Sequence, residues 1–88
     1  MDVIASPSPA PHPRVGVVVP RYRHSTARRN LLKRRLREIL RRDALTWLRN
    51  VRPPTDLLIR ARPEAYDAAF TELRDGILEI LERRWPRS

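Results

Sequence analysis

Apolar residues between positions 27 and 49 recur at the spacing of an amphipathic helix. Neither glycine nor proline interrupts this stretch, and Ser25 or Thr26 just before it is a suitable N-cap. The apolar stripe consists of Leu32, Leu36, Ile39, Leu40, Trp47 and Leu48. The pattern predicts a helix from Ala27 to about Arg49 with one face in a core.

Three other stretches are typical of extended chain. Residues 14–20 are rich in β-branched side chains and end at a proline, and residues 56–61 alternate between two faces. Leu57, Ile59 and Ala61 share one of those faces, while Leu58, Arg60 and Arg62 share the other. Residues 2–5 predict a short strand. Residues 6–13 contain four prolines, which predicts an extended connector.

A second helix is predicted from Glu64 to about Arg84. Its apolar stripe consists of Tyr66, Phe70, Leu73, Ile77, Ile80 and Leu81. The order strand, strand, helix, strand, helix predicts a two-layer α/β sandwich, in which helices cover one face of a small sheet. With 88 residues, the chain has the length of one small domain, residues 1–88.

The charge of the chain is unevenly distributed. Residues 1–42 contain eleven basic and two acidic residues, whereas residues 43–88 contain eight of each, so the whole net charge of +9 lies in the first half. A genome that favours arginine can explain the high arginine count but not the neutral second half. A concentrated positive field attracts a polyanion.

Much of this charge lies on the first predicted helix. Arg29, Lys33, Arg37 and Arg41 are each four residues apart and therefore line one face, which we call the basic ridge. The ridge is widened by Arg28, Arg34, Arg35 and Arg42. Glu38 is the only acid between positions 27 and 42. Such a ridge suits a sugar-phosphate chain, since guanidinium groups form paired hydrogen bonds to phosphate; the alternative is a solvated charged face.

Two motifs in succession resemble the protein subunit of bacterial ribonuclease P. That family has a strand R-x-G-x-x-V, a basic loop, and a helix with the signature R-N-R-x-K-R-x-x-R. Arg14, Gly16 and Val19 fall on the strand positions, and Arg29, Asn30, Lys33, Arg34 and Arg37 fall on the helix positions. Asp56 to Arg62 is similar to the family's D-x-x-x-x-A-R strand.

The resemblance runs from about residue 2 to residue 84, with three departures. Leu31 replaces the third residue of R-N-R, and Tyr22 replaces the second cation after the first motif. The family's N-terminal helix, which carries aromatic residues toward the leader of precursor tRNA, is expected to be lacking.

The resemblance implies a fold and a function. The fold would be a small mixed sheet with the long basic helix in a left-handed βαβ crossover, similar to the ribosomal protein S5 domain 2-like fold. The protein would bind the catalytic RNA subunit and the 5′ leader of precursor tRNA, and so assist endonucleolytic removal of that leader. Mg²⁺ would be bound by the RNA and substrate, with none held tightly by the protein. We expect a cytoplasmic protein without a membrane partner or a small-molecule substrate.

Several side chains are predicted to contact RNA. They are Arg28, Arg29, Asn30, Lys33, Arg34, Arg37 and Arg41 on the helix, with Arg21, Tyr22 and Arg23 in the preceding loop. Asn30 has the alternative of a local capping bond, and Tyr22 that of surface packing. Val17, Arg60 and Arg62 are predicted to contribute to a groove for the leader.

No catalytic set is evident in the sequence, which has neither a Ser/His/Asp arrangement nor a glycine loop that cradles phosphate. We therefore expect that the chain does not perform hydrolysis alone, and no catalytic or metal-binding residue is predicted in it. The resemblance implies that catalysis resides in the RNA. The alternative function is a non-catalytic module that binds structured RNA, similar to a ribosomal protein or a degenerate paralogue. A basic membrane-binding helix is a third class, which the predicted strands disfavour.

Overall fold

The computed structural model describes residues 1–86, which form one small sheet and a helical layer. The strands are β1 (Asp2–Pro7), β2 (Arg14–Val18) and β3 (Thr55–Arg60). Helix α1 (Thr26–Ile39) continues through a π-helical turn (Leu40–Ala44) into the short helix α2 (Leu45–Leu48), and helix α3 (Phe70–Arg84) follows a 3-10 turn (Pro63–Asp67).

The sheet is mixed, as predicted. Its order is β1-β3-β2, so the last strand in sequence lies in the centre. Strand β3 runs antiparallel to β1, with Ile4 opposite Leu58, and parallel to β2, with Val17 opposite Ile59. Because β2 and β3 are parallel neighbours, α1 between them forms the predicted βαβ crossover. Its left hand stays a prediction.

The helices cover one face of the sheet, which confirms the two-layer architecture. Leu57 and Ile59 of β3 are buried against Leu36 of α1 and Ile77 of α3 in a single core cluster. Their neighbours Leu58 and Arg60 point to the opposite face, because side chains alternate along a strand. That face carries exposed apolar side chains within the described residues, and we call it the open face.

The proline-rich connector is shorter than predicted. Ser6 and Pro7 belong to β1, where they pair with Asp56 and Thr55 of β3. Proline is tolerated there because β1 is an edge strand and the missing N–H falls at its end. Of the predicted connector, only residues 8–13 lie outside a strand. The backbone N–H of Ser8 donates a hydrogen bond to the carbonyl of Pro54, which holds this end of the connector against the fold.

The predicted long helix is not one regular α-helix. Ser25 is its N-cap and accepts a hydrogen bond from the backbone N–H of Arg28 (3.2 Å). The π-helical turn then interrupts the helix, and Ala44 at the end of this turn and Leu48 in α2 are fully buried. Buried positions four residues apart drift around an α-helix that has 3.6 residues per turn. We attribute the wider turn to this spacing, since it returns both side chains to the core.

The second helix begins later than predicted. Residues 63–67 form the 3-10 turn, the next two are extended, and α3 starts at Phe70. Tyr66 is buried as predicted, but Phe70 is exposed, so its place in the core stripe was wrong. The Glu72 carboxylate accepts the backbone N–H of Ala69 and thereby caps a helix start that lacks a Ser, Thr, Asp or Asn. Among residues 1–86, no helix is long and apolar enough to cross a membrane.

Candidate nucleic-acid interface

The outward face of α1 and of the π-helical turn after it carries half of the ten predicted RNA contacts. The inward face buries Leu32, Leu36 and Ile39, so the polar side chains between these positions turn away from the sheet. They border a shallow concavity of about 430 Å³, which we call the ridge groove. It is lined by Asn30, Lys33, Arg34, Arg37, Glu38 and Arg41. Five of the predicted RNA contacts are therefore brought together on one surface.

Three cations of the ridge groove have no anionic partner within residues 1–86. Within residues 1–86, Lys33, Arg34 and Arg37 form neither an ion pair nor a side-chain hydrogen bond. Arg41 donates to Glu38 at 3.3 Å, and Arg42 lies 3.6 Å from the same carboxylate. At one end of the groove, Lys33, Arg34 and Arg37 are thus unpaired within the described residues. At the other end, the Glu38 carboxylate is paired with two arginines.

Arg28 and Arg29, at the start of α1, are engaged inside the protein instead. The Arg29 Nε donates to the backbone carbonyl of Val19 at 2.7 Å, and the side chain is half-buried. The Arg28 Nη2 donates to the Tyr66 carbonyl (3.3 Å) and lies 3.2 Å from the Asp67 carboxylate. Neither residue lines the ridge groove, and both fasten α1 to the loops around it.

Asn30 lines the groove and makes no side-chain hydrogen bond within residues 1–86. The local capping bond considered for it is formed by Ser25, so the structure leaves the Asn30 amide available to a ligand. An amide that presents both a donor and an acceptor can bind a phosphate oxygen or a base edge.

The loop before α1 is held in a left-handed conformation. Tyr22 and Arg23 have φ values of 46° and 72°, and the N–H of His24 donates to the Arg21 carbonyl at 2.8 Å. Such φ values strain residues other than glycine, so surrounding contacts must hold them. One of these contacts is a hydrogen bond from the Tyr22 hydroxyl to the Ala61 carbonyl (3.0 Å). Arg21 and Arg23 remain exposed beside the helix.

Tyr66 anchors the same loop from the other side. Its ring stacks on His24 at 3.9 Å between centroids and is perpendicular to the ring of Tyr22, whose centroid lies 6.4 Å away. The Tyr66 hydroxyl donates to the Pro20 carbonyl at 2.6 Å. These contacts favour the packing interpretation of Tyr22 over that of a platform for a base.

The predicted leader groove is only partly assembled. Val17 pairs with the buried Ile59 and packs against the core, so it lies on the helix-covered face, and its assignment to a groove with Arg60 was wrong. Strand alternation requires this, because Arg60 follows Ile59 and points the opposite way. Arg62 lies 3.2 Å from Asp2.

The apolar part of the open face comes from other residues. Ile4 and Val18 are 55% and 43% exposed, and Leu58 lies between them because β3 is the central strand. A Cβ added to Gly16 would lie 3.2 Å from a methyl group of Leu58, so glycine there gives Leu58 room on this face. Sequence reasoning missed Ile4 and Val18; the alternation along residues 14–20 was the signal that could have found Val18.

Arg14 performs a structural task in the sheet. Its guanidinium forms paired hydrogen bonds with Asp56, its register partner on β3, the shortest at 2.6 Å. The Arg14 hydrogen bond lowers the pKa of the Asp56 carboxyl from its ordinary value, although partial desolvation opposes this effect. Arg14 and Asp56 thus connect the R-x-G-x-x-V strand to the D-x-x-x-x-A-R strand.

Comparison with known proteins places these motifs in a family. The model of the Ribonuclease P family matches residues 2–84. The chain is 45% identical over 75 residues to the ribonuclease P protein component of Thermus oshimai, and 43% identical over 75 residues to that of Thermus aquaticus. Each match covers 85% of this chain but only 45% and 42% of the relatives. The chain thus spans less than half the length of these relatives.

Two solved structures share the fold. The ribonuclease P protein of Staphylococcus aureus superposes with a TM-score of 0.77 at 20% identity, over 98% of this chain and 75% of that protein. The protein from Thermotoga maritima superposes with a TM-score of 0.73 at 28% identity, over 92% of this chain and 74% of the other. The mixed sheet and its two helices are therefore an arrangement found in proteins of this family.

Proposed function

The chain belongs to the ribonuclease P protein family, and from this membership we propose that it is a protein subunit of ribonuclease P. In this role it assists a catalytic RNA in the endonucleolytic removal of the 5′ leader from precursor tRNA. One observation carries the proposal: Asn30, Lys33, Arg34 and Arg37, four positions of the family signature, line one groove and lack internal partners within the described residues.

We assign the ridge groove to the RNA subunit. The helix spaces Lys33 and Arg37 by four residues, about 6 Å along its axis, which is close to the separation of successive phosphates along a folded RNA strand. Arginine suits this surface, since its fork of donors matches two phosphate oxygens at once. Binding releases counterions from the RNA, so affinity should fall steeply as the salt concentration rises.

We assign the open face of the sheet to the single-stranded leader. Ile4, Val18 and Leu58 provide an apolar surface on which bases can lie, and Arg60, which has no ion pair within residues 1–86, provides a cation for the backbone. This replaces the predicted groove around Val17. The helical layer separates this surface from the ridge groove, so one protein can contact the leader and the RNA subunit together.

The chemistry is assigned to the RNA. In residues 1–86 no group of three or more His, Asp or Glu side chains could hold a metal ion. Mg²⁺ bound by the RNA and the substrate would supply the activated water for phosphodiester hydrolysis, which leaves a 5′-phosphate on the tRNA. The protein contributes charge neutralisation and positioning, and the proposal places it in the cytoplasm.

Reconstitution tests the proposal directly. The protein is mixed with the ribonuclease P RNA of its own organism and a 5′-labelled precursor tRNA at a Mg²⁺ concentration too low for the RNA alone. We expect leader cleavage to rise at least tenfold with the protein. Absence of any gain across protein concentrations would refute the proposal.

A substrate without a leader separates the two assigned surfaces. Replacing Arg60 by alanine should weaken binding of precursor tRNA to the complex but leave binding of mature tRNA unchanged. The same variant should bind the RNA subunit like the wild type, since Arg60 lies on the open face. An equal loss for both tRNAs would contradict the leader assignment and leave the RNA-subunit assignment intact.

A further inference from the structure

A single carboxylate lies within the ridge groove. Glu38 is the only acid between positions 27 and 42, and it lines the groove together with Arg34, Arg37 and Arg41. Its side chain is 39% exposed, and its two oxygens face Arg41 (3.3 Å) and Arg42 (3.6 Å). A ligand in the groove therefore meets three free cations and then an anion.

Stability alone gives a weak reason for this carboxylate. Arg41 and Arg42 are 75% and 69% exposed, and ion pairs in such settings contribute little to folding. A similar i,i+4 pair, Glu79 and Arg83, occurs on α3, outside the ridge groove. That pair provides an internal comparison, because it has the same chemistry without the neighbouring free cations.

The position of Glu38 matters for a polyanion. A regular phosphate chain laid along the whole ridge would bring phosphates beside the carboxylate, and like charges repel. An ionised carboxylate can only accept hydrogen bonds. A folded RNA that turns its backbone away at this point, or that presents a 2′-hydroxyl or a base amino group there, avoids the repulsion and satisfies the carboxylate.

We propose that Glu38 is a specificity-determining residue of the ridge groove. It weakens the binding of regular duplex RNA and tolerates an RNA that offers a hydrogen-bond donor instead of a phosphate at this position. The inference rests on the proposed function for the identity of the favoured RNA, whereas the repulsion of duplex RNA follows from the geometry alone.

Two charge-matched variants test this role. Glu38→Gln and Glu79→Gln each remove one negative charge, so their effects on net charge are alike. Glu38→Gln breaks the ion pairs with Arg41 and Arg42, and Glu79→Gln breaks the pair with Arg83. Binding is measured over a range of salt concentrations with two probes, the ribonuclease P RNA of the same organism and a 20-base-pair RNA duplex of unrelated sequence. Thermal unfolding of both variants confirms that they remain folded.

We expect Glu38→Gln to bind the duplex about three- to tenfold more tightly. The slope of log affinity against log salt concentration should become steeper by about one unit, as expected for one additional phosphate contact. Its affinity for ribonuclease P RNA should change less than twofold, so the preference for that RNA falls. Glu79→Gln should change both affinities equally and by less than twofold.

The remaining outcomes distinguish two claims: that Glu38 repels the phosphates of duplex RNA, and that it determines specificity for ribonuclease P RNA. If Glu38→Gln and Glu79→Gln behave alike on the duplex, the carboxylate does not repel phosphate and the inference is wrong. If Glu38→Gln strengthens both RNAs equally, it acts only as a local neutraliser and has no role in specificity. If the wild type does not prefer ribonuclease P RNA, the proposed function fails, and the specificity role fails with it. In that case, the comparison of the two variants on the duplex tests only whether the Glu38 carboxylate repels phosphate.

Discussion

Helix α1 and the sheet use the same residue type in opposite ways. In the ridge groove, Lys33, Arg34 and Arg37 have no carboxylate partner within the described residues. In the sheet, Arg14 of β2 faces Asp56 of β3 at 2.6 Å, and just after β3 Arg62 faces Asp2 of β1 at 3.2 Å. The comparison shows that arginine content alone does not identify a binding surface. Cations without a carboxylate partner mark the better candidate, because an unpaired cation keeps its full attraction for an external anion.

The largest expected effect tests the α1 side of this comparison. Replacing Lys33 and Arg37 together by alanine should weaken binding to ribonuclease P RNA about tenfold or more, and should reduce the salt slope by about two units, one for each lost phosphate contact. The melting temperature should stay the same, since neither side chain has an internal partner in residues 1–86. Titration at several salt concentrations and thermal unfolding provide both measurements.

A matched pair of exposed arginines controls for net charge. Arg49 and Arg83 lie outside the ridge groove, so replacing both by alanine removes the same charge from another surface. We expect a loss of affinity below threefold and a nearly unchanged slope. Equal slopes for the two double variants would show that the ridge groove is not the binding surface.

A smaller effect is expected from a change in the sheet, where stability and not RNA affinity should fall. Arg14→Ala removes the three side-chain hydrogen bonds to Asp56 and leaves a half-buried carboxylate without this partner. The melting temperature should fall by a few degrees, while the affinity for ribonuclease P RNA should change less than twofold. The melting temperature of Arg14→Lys should lie between those of the wild type and Arg14→Ala, because an ammonium group cannot form the paired hydrogen bonds. A loss of RNA affinity without a loss of stability would contradict the division of tasks.

The smallest effect concerns pH. Because Arg14 lowers the pKa of Asp56 in the folded state, the ionised carboxylate stabilises the fold above its ordinary pKa of 3.8. This stabilisation is lost as the pH falls through the lowered folded value. Wild type should therefore be more stable than Asp56→Asn at pH 6, and the difference should shrink below about pH 4. Chemical unfolding of both proteins at pH 6, 4 and 2.5 measures this difference in stability. A difference that stays constant with pH would show that ionisation of Asp56 does not contribute to the stability of the fold.

Much of the fold was predictable because periodicity reports burial. The alternation of Leu57, Ile59 and Ala61 and the stripe on α1 both correspond to buried positions. The 3-10 turn at Pro63–Asp67 was not predictable from local pattern. Residues 64–69 have good helical composition, yet Tyr66 must reach the Pro20 carbonyl, and this tertiary contact outweighs local preference.

The candidate site was predictable to the extent that helix spacing determines it. Asn30, Lys33, Arg34, Arg37 and Arg41 were predicted together and lie together. Arg28 and Arg29 fitted the same spacing but are bound to Tyr66 and Val19, residues whose proximity depends on the fold of distant segments. Val17 was misplaced because alternation within a strand identifies two faces but not which one the helices cover.

The turn between β2 and α1 is fastened at several points. Hydrogen bonds join Arg29 to the Val19 carbonyl, Tyr66 to the Pro20 carbonyl and Tyr22 to the Ala61 carbonyl. These contacts hold helix α1 at one angle to the sheet. Since the protein surface is ordered before the encounter, the loss of conformational entropy on association falls mainly on the RNA. An RNA that is already folded to match should then bind faster and more tightly than one that must fold on the protein.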